Sequence, residues 1–261
     1  MKDQIVSSAD AALGRRLTAL TMGVDQLERR VSAGNGALDT EGLVPIYLGA
    51  EVVAPLELQS WDEALEQISD LERDAQTYPV GPRRTFMLAM LDSVRCATQM
   101  FRGDQLAFAE KLERLVGVPA APVSDAQLAA IQSDLSSRLE RAGYRSGTLA
   151  ERARRWEAER FVDPATIEAT FDGLMLEAQG RTDSMVYPTG DYQMKLHPVR
   201  GMPYTARCSF SKGRMDLNLD LQFSHSALKH LVAHEVFPGH STQLLLTKDW
   251  AASGRSTPDV L

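Results

Sequence analysis

The sequence predicts a mainly α protein with one small β-hairpin or sheet near residues 203–222, and three observations carry that prediction. Apolar residues recur at helical spacing through most of the first 180 residues. Clean two-residue alternation is confined to 214–222, and four of the five histidines follow directly in an amphipathic segment. A chain of 261 residues, 44% hydrophobic and 24% charged, can bury a real core and is too apolar for a disordered one.

Leu13, Leu17, Leu20, Val24, Leu27 and Val31 form one stripe on a helix over 11–31, stopped by the Gly-Asn-Gly of 34–36. Residues 37–59, with two prolines and a mostly apolar run from Leu43 to Leu48, read as a connection. Ser60 with Glu63 predicts a capping box for a helix ending near Tyr78-Pro79. Pro82 opens an amphipathic helix to Phe101, broken at Gly103, and Asp104 is the expected N-cap of the next, which ends at Val116. Ser124 with Gln127 is a second capping box, for a helix running to Gly143. A helix over 147–161 follows, and Asp163-Pro164 supplies an N-cap and an N1 proline for a helix to Gly180. The alternating charges of 151–160 form Glu151/Arg155 and Arg155/Glu159 pairs, a solvated helix face rather than an RNA site.

Two strands are expected at 204–210 and 214–222 around Ser211-Lys212-Gly213. Met215, Leu217, Leu219 and Leu221 share one face of the second; Asp216, Asn218, Asp220 and Gln222 share the other. Residues 1–180 read as a helical body and 181–261 as the hairpin with its histidine helix, together one continuous domain. Cys96 and Cys208 stand far apart without a CxxC, which excludes a disulfide framework, an iron–sulfur site and a Cys-rich zinc site. A net charge of -7 argues against a nucleic-acid partner. Without a secretory leader or an apolar run long enough for a membrane span, the expected setting is cytoplasmic, with no membrane partner.

The chemistry lies in 225–246, HSALKHLVAHEVFPGHSTQLLL. His234-Glu235 sets a carboxylate beside an imidazole, and His240 adds a second imidazole after Pro238-Gly239. A hydrolytic zinc site needs such imidazole donors, an open position for water and a nearby base. On an unbroken helix, His234 and His240 would stand roughly 240° apart, unable to share a metal. Pro238 and Gly239 supply the interruption that the spacing requires. His230 and His234, at i and i+4, are an alternative pair on an unbroken helix; His230 and His225 otherwise read as surface histidines or supports to the ligands.

His-Glu-Val-Phe-Pro-Gly-His, followed by Gln243, resembles the HExxPGHxxQ signature of the family called domain of unknown function 885. The resemblance implies a helical zincin-like architecture of the gluzincin type, a small sheet before the active-site helix, and zinc-dependent hydrolysis of peptides. It makes His234 and His240 zinc ligands, Glu235 the general base and Gln243 a supporting residue. Such proteins take a third ligand from a Glu on a later helix. Here no Glu follows Glu235, and Asp249 and Asp259 are the only later carboxylates. A fragment is therefore expected, with completion by another chain or a degenerate homologue as the other readings. Tyr204 and Arg207 are the best candidates to stabilise an oxyanion among Tyr187, Tyr192, His197, Tyr204 and Arg207. Strand 214–222 is a candidate edge for pairing an extended substrate, its polar row Asp216, Asn218 and Asp220 being equally well read as a solvent face.

The leading reading is a metal-dependent hydrolase of a peptide or small amide substrate, with Zn2+ as cofactor. The alternative is a catalytically inactive helical binding or scaffold protein that keeps the motif. An oxidative iron site is a weaker third, because a Glu beside the first His suits hydrolysis better. The oligomeric state is not specified by any of these features.

Overall fold

The computed structural model describes residues 6–32, 43–44 and 48–260. Helices dominate, with one three-stranded sheet. The chain divides into two compact units: Met1–Ala121 with Thr247–Leu261, and Pro122–Leu246.

In the first unit, α1 (Ser8–Ser32), α2 (Trp61–Gln76) and α3 (Pro82–Arg102) share a core, and α4 (Phe108–Val116) follows. The stripe expected on α1 is the one it buries: Leu13, Leu17, Leu20, Val24 and Leu27 pack with Ile68 and Leu71 of α2 and Met87 and Leu91 of α3. Val31, expected to continue the stripe, is 60% exposed. The Gly-Asn-Gly stop and much of the expected connection, at 33–42 and 45–47, lie outside the described residues. Ser60 caps α2 by accepting the Glu63 N–H at 3.2 Å. The Glu63 carboxylate takes the N–H of Gln59 rather than that of the cap, so the expected box closes one residue early. Asp104 caps nothing: Arg102 binds both its oxygens, at 2.9 and 2.6 Å, and α4 starts at Phe108 without a side-chain cap.

The second unit begins with α5 (Asp125–Arg141) and α6 (Leu149–Ala158), each opened by a complete capping box, Ser124/Gln127 as expected and Thr148/Glu151 in addition. Asp163 caps a short 3-10 turn that leads into α7 (Ile167–Met185). The sheet follows: β1 (Lys195–Val199), β2 (Ala206–Ser209) and β3 (Arg214–Asn218), in the order β1-β3-β2. β2 and β3 form the expected antiparallel hairpin, while β1 pairs parallel to β3. The segment containing β1 carried no strand signal, because Pro198 cannot donate to a ladder and is tolerated at a sheet edge. β3 stops at Asn218, short of the expected 222. The Asn218 amide donates to the carbonyls of Met202 and Tyr204, its oxygen accepts the Asp220 N–H, and Leu221 turns out to be 45% exposed.

Met215 and Leu217 of β3 pack on Ile167, Phe171 and Leu174 of α7, with Leu228, Val232, Val236 and Phe237 closing the same core. The boundary expected near residue 180 therefore falls inside α7, whose apolar face belongs with the sheet. No helix among the described residues is long and apolar enough to cross a membrane.

In the first unit, Arg83 donates to both oxygens of Asp259, at 2.6 and 3.0 Å, and the Asp259 side chain is fully buried. A Cβ on Gly14 would sit 2.1 Å from Asp259 Oδ1, so the glycine of α1 makes room for that carboxylate. Removing the cation leaves a buried anion without its fork. We predict that Arg83→Met costs roughly 2–4 kcal/mol, read as a lower urea midpoint at unchanged slope, and that Arg83→Lys recovers part of it. An unchanged midpoint would show that the pair does not support the fold.

Candidate metal centre

The motif helix is held by its apolar side. α8 (His225–Leu231) starts from Ser224, whose hydroxyl accepts the Ala227 N–H at 3.1 Å. Leu228, Val232 and Val236, four residues apart, are buried in the core, which leaves His230 and His234 exposed. Val232–Val236 is a π-helical turn: the Phe237 N–H reaches the Val232 carbonyl, five residues back, at 3.0 Å. The chain then leaves helical dihedrals at Phe237, passes through a cis Phe237-Pro238 bond, and restarts as α9 (His240–Ala252).

This interruption depends on the absence of a side chain at Gly239. A Cβ there would lie 1.9 Å from the His234 carbonyl oxygen and 2.6 Å from that of Ala233. Both are backbone atoms that cannot turn aside. Breaking a helix also strips carbonyls of their N–H partners, and buried ones must find others. Two hydroxyls of the restarted helix do this: Ser241 donates to the Glu235 carbonyl and Thr242 to that of Val236, each at 3.2 Å. Both residues are buried.

The expected ligands are brought together. The His234 and His240 rings lie 4.8 Å apart, edge to face, at 85°. His230 also stacks on His234, with centroids 5.7 Å apart. Glu235, half-buried, places Oε1 4.0 Å from His234 Nε2. Gln243 is exposed on the first turn of α9, where its N–H bonds the Gly239 carbonyl. Among the described residues no group of three or more His, Cys, Asp or Glu could hold a metal ion. The two later carboxylates are engaged elsewhere, Asp249 by Arg255 and Asp259 by Arg83. The donor set therefore suits zinc in kind, two imidazoles with a carboxylate at hand, but supplies only part of a coordination shell.

Around Ser241, whose hydroxyl holds the Glu235 carbonyl, stand Tyr192, one of the five oxyanion candidates, and Cys208, to which the sequence assigned no role in the site. Ser241 Oγ is 3.4 Å from the Tyr192 hydroxyl, which donates to the Phe210 carbonyl at 3.0 Å; the Tyr192 ring meets Phe237 edge-on. Burial, against an opposing Ser241 hydrogen bond, raises the Tyr192 phenol above its ordinary value. Cys208 of β2 belongs to the same layer: burial, and then the negative charge of Glu235, push its thiol up to about 11 against an opposing Ser241 hydrogen bond. The Ser-Thr pair after His240 was the available signal, since hydroxyls one and two residues into a restarted helix can reach back to freed carbonyls.

Tyr204 and Arg207 do not join this layer. Arg207 pairs opposite Asp216, on the sheet face away from Cys208 and Met215, and the Tyr204 hydroxyl lies 3.5 Å from Asp216. On that face buried Asp216 also meets His197 Nδ1 at 2.9 Å and Arg214 Nε at 3.0 Å. β3 is paired on both sides, so it cannot accept a substrate strand; the hairpin strand at the sheet's edge is β2.

Comparison with protein-family models, with curated proteins and with solved structures returned no match to the chain.

Gly239→Ala is expected to cost at least about 2 kcal/mol, because the methyl group meets fixed carbonyls. Gly180→Ala, in α7 with nothing near its Cβ position, should be neutral or stabilise by up to about 1 kcal/mol. Urea unfolding of the two variants beside the parent checks this. Equal effects would mean that the close approach at Gly239 is not a constraint.

Proposed function

We propose that the chain carries the metal centre of a zinc-dependent hydrolase of peptide or amide bonds, with His234 and His240 as ligands and Glu235 as base. The observation that supports this best is the contact of two imidazoles six residues apart, made across a helix interruption beside a half-buried carboxylate. The reading includes the resemblance to the domain of unknown function 885 family, and with it a gluzincin-like arrangement. It requires a further donor beyond this pair.

When bound, Zn2+ polarises a scissile carbonyl and acidifies water. The rest falls to the chain. His234 and His240 present neutral ring nitrogens, and the hydroxyls of Ser241 and Thr242 hold the carbonyls that the break exposes. Glu235 takes a proton from the attacking water at its carboxylate and delivers it to the leaving amine nitrogen. The outer edge of β2, whose Cys208 lies behind Glu235, is where an extended peptide would pair in main-chain register.

Elemental analysis of the zinc-equilibrated chain tests the assignment. Zinc near one per chain is expected in the parent, in His230→Ala and in Glu235→Gln, and is lost in His234→Ala and His240→Ala. Glu235→Gln should abolish release of amines from a peptide library while keeping the metal. Loss with His230→Ala but not His240→Ala would assign the i, i+4 pair instead. A metal-free parent would leave two readings, a site that lacks its further donor and a helical binding or scaffold protein.

A further inference from the structure

Between α7 and the segment that carries the motif, within the second unit, lies a cavity of about 290 Å3. Leu174 and Ala178 of α7 form one wall; Ala233, Phe237 and Pro238 form the other. The second wall is built from the motif itself, since Ala233 precedes His234 and Phe237-Pro238 lead to His240. Met185 and Val186 stand at the cavity 81% and 60% exposed, so apolar surface continues out of it into solvent. Soluble proteins rarely leave such surface idle beside a polar site.

Three polar features break the apolar lining. The Thr182 hydroxyl is buried in the wall without a hydrogen-bond partner. Arg181 is paired with Glu177 at 3.3 Å. The Lys229 ammonium, exposed, has no partner among the described residues. The charge left over is therefore positive. An occupant that satisfies this lining has an apolar side chain for the cavity, a hydrogen-bonding group that Thr182 can meet after a rotamer change, and an anion for Lys229.

We propose that this cavity receives an apolar residue bearing a free carboxylate, the C-terminal residue of a short peptide or an N-acyl amino acid, with Lys229 holding the carboxylate. The proposal rests on the hydrolase reading and names the substrate class of that centre: small amides ending in an apolar amino acid.

Binding of N-acetyl-L-leucine, N-acetyl-L-leucinamide and acetate to the full chain, followed by NMR shifts, tests it. N-acetyl-L-leucine should bind saturably, the amide about fivefold more weakly, and acetate not at all. Lys229→Ala, at an exposed position, should bring acid and amide to the same weak affinity. Ala178→Phe, checked for folding by circular dichroism, should lose both by filling the cavity. His234→Ala should leave these affinities unchanged. Saturable binding of N-acetyl-L-leucine by a parent chain that takes up no zinc would support the subsite without the hydrolase reading. Equal affinity of the parent for acid and amide, binding insensitive to Ala178→Phe, or no saturable binding would overturn the proposal.

Discussion

The packing of Gly239 against the carbonyls of Ala233 and His234 is the contact on which the site depends. An α-helix continued from Val232 would carry His240 around to another side. With no Cβ in the way, the chain folds back onto the turn it has just left, and the second imidazole comes to rest edge-on against the first. The π-helical bond from Phe237 to Val232 widens the last turn, and the restart at His240 begins a new helix in a new phase.

Such a break is costly unless its loose ends are satisfied, and the neighbouring structure does this in two ways. Leu228, Val232, Val236 and Phe237 anchor both sides of the interruption in the core of α7 and β3. Ser241 and Thr242 then replace the amide donors that the carbonyls of Glu235 and Val236 have lost. Polar satisfaction and apolar burial thus hold one geometry in which Glu235 stays half-buried while three imidazoles face outward. The raised thiol of Cys208 reflects the same layer, a group shielded from water and facing a carboxylate.

Helices with an unambiguous stripe or a box within four residues, such as α1, α3 and α5, were legible from spacing alone. Local signals failed where a distant or competing partner won. Asp104 went to Arg102 rather than to a helix end, and Leu221 was cut off when Asn218 turned its amide onto the 202–204 loop. β1 was invisible because parallel pairing to β3 is a tertiary event and Pro198 weakens the strand pattern. In the site, the need for an interruption between His234 and His240 could be deduced from a six-residue spacing. Which tyrosine meets Ser241 could not, because the choice between Tyr192 and Tyr204 depends on which sheet face each joins.

The most direct measurement is a Zn2+ titration of the chain with its histidine rings labelled with nitrogen-15 and assigned by single substitutions. If the interruption makes His234 and His240 one site, their ring resonances shift together, ahead of those of His197 and His225, while His230 keeps both nitrogens metal-free. Joint movement of His230 and His234 with His240 unaffected would contradict it.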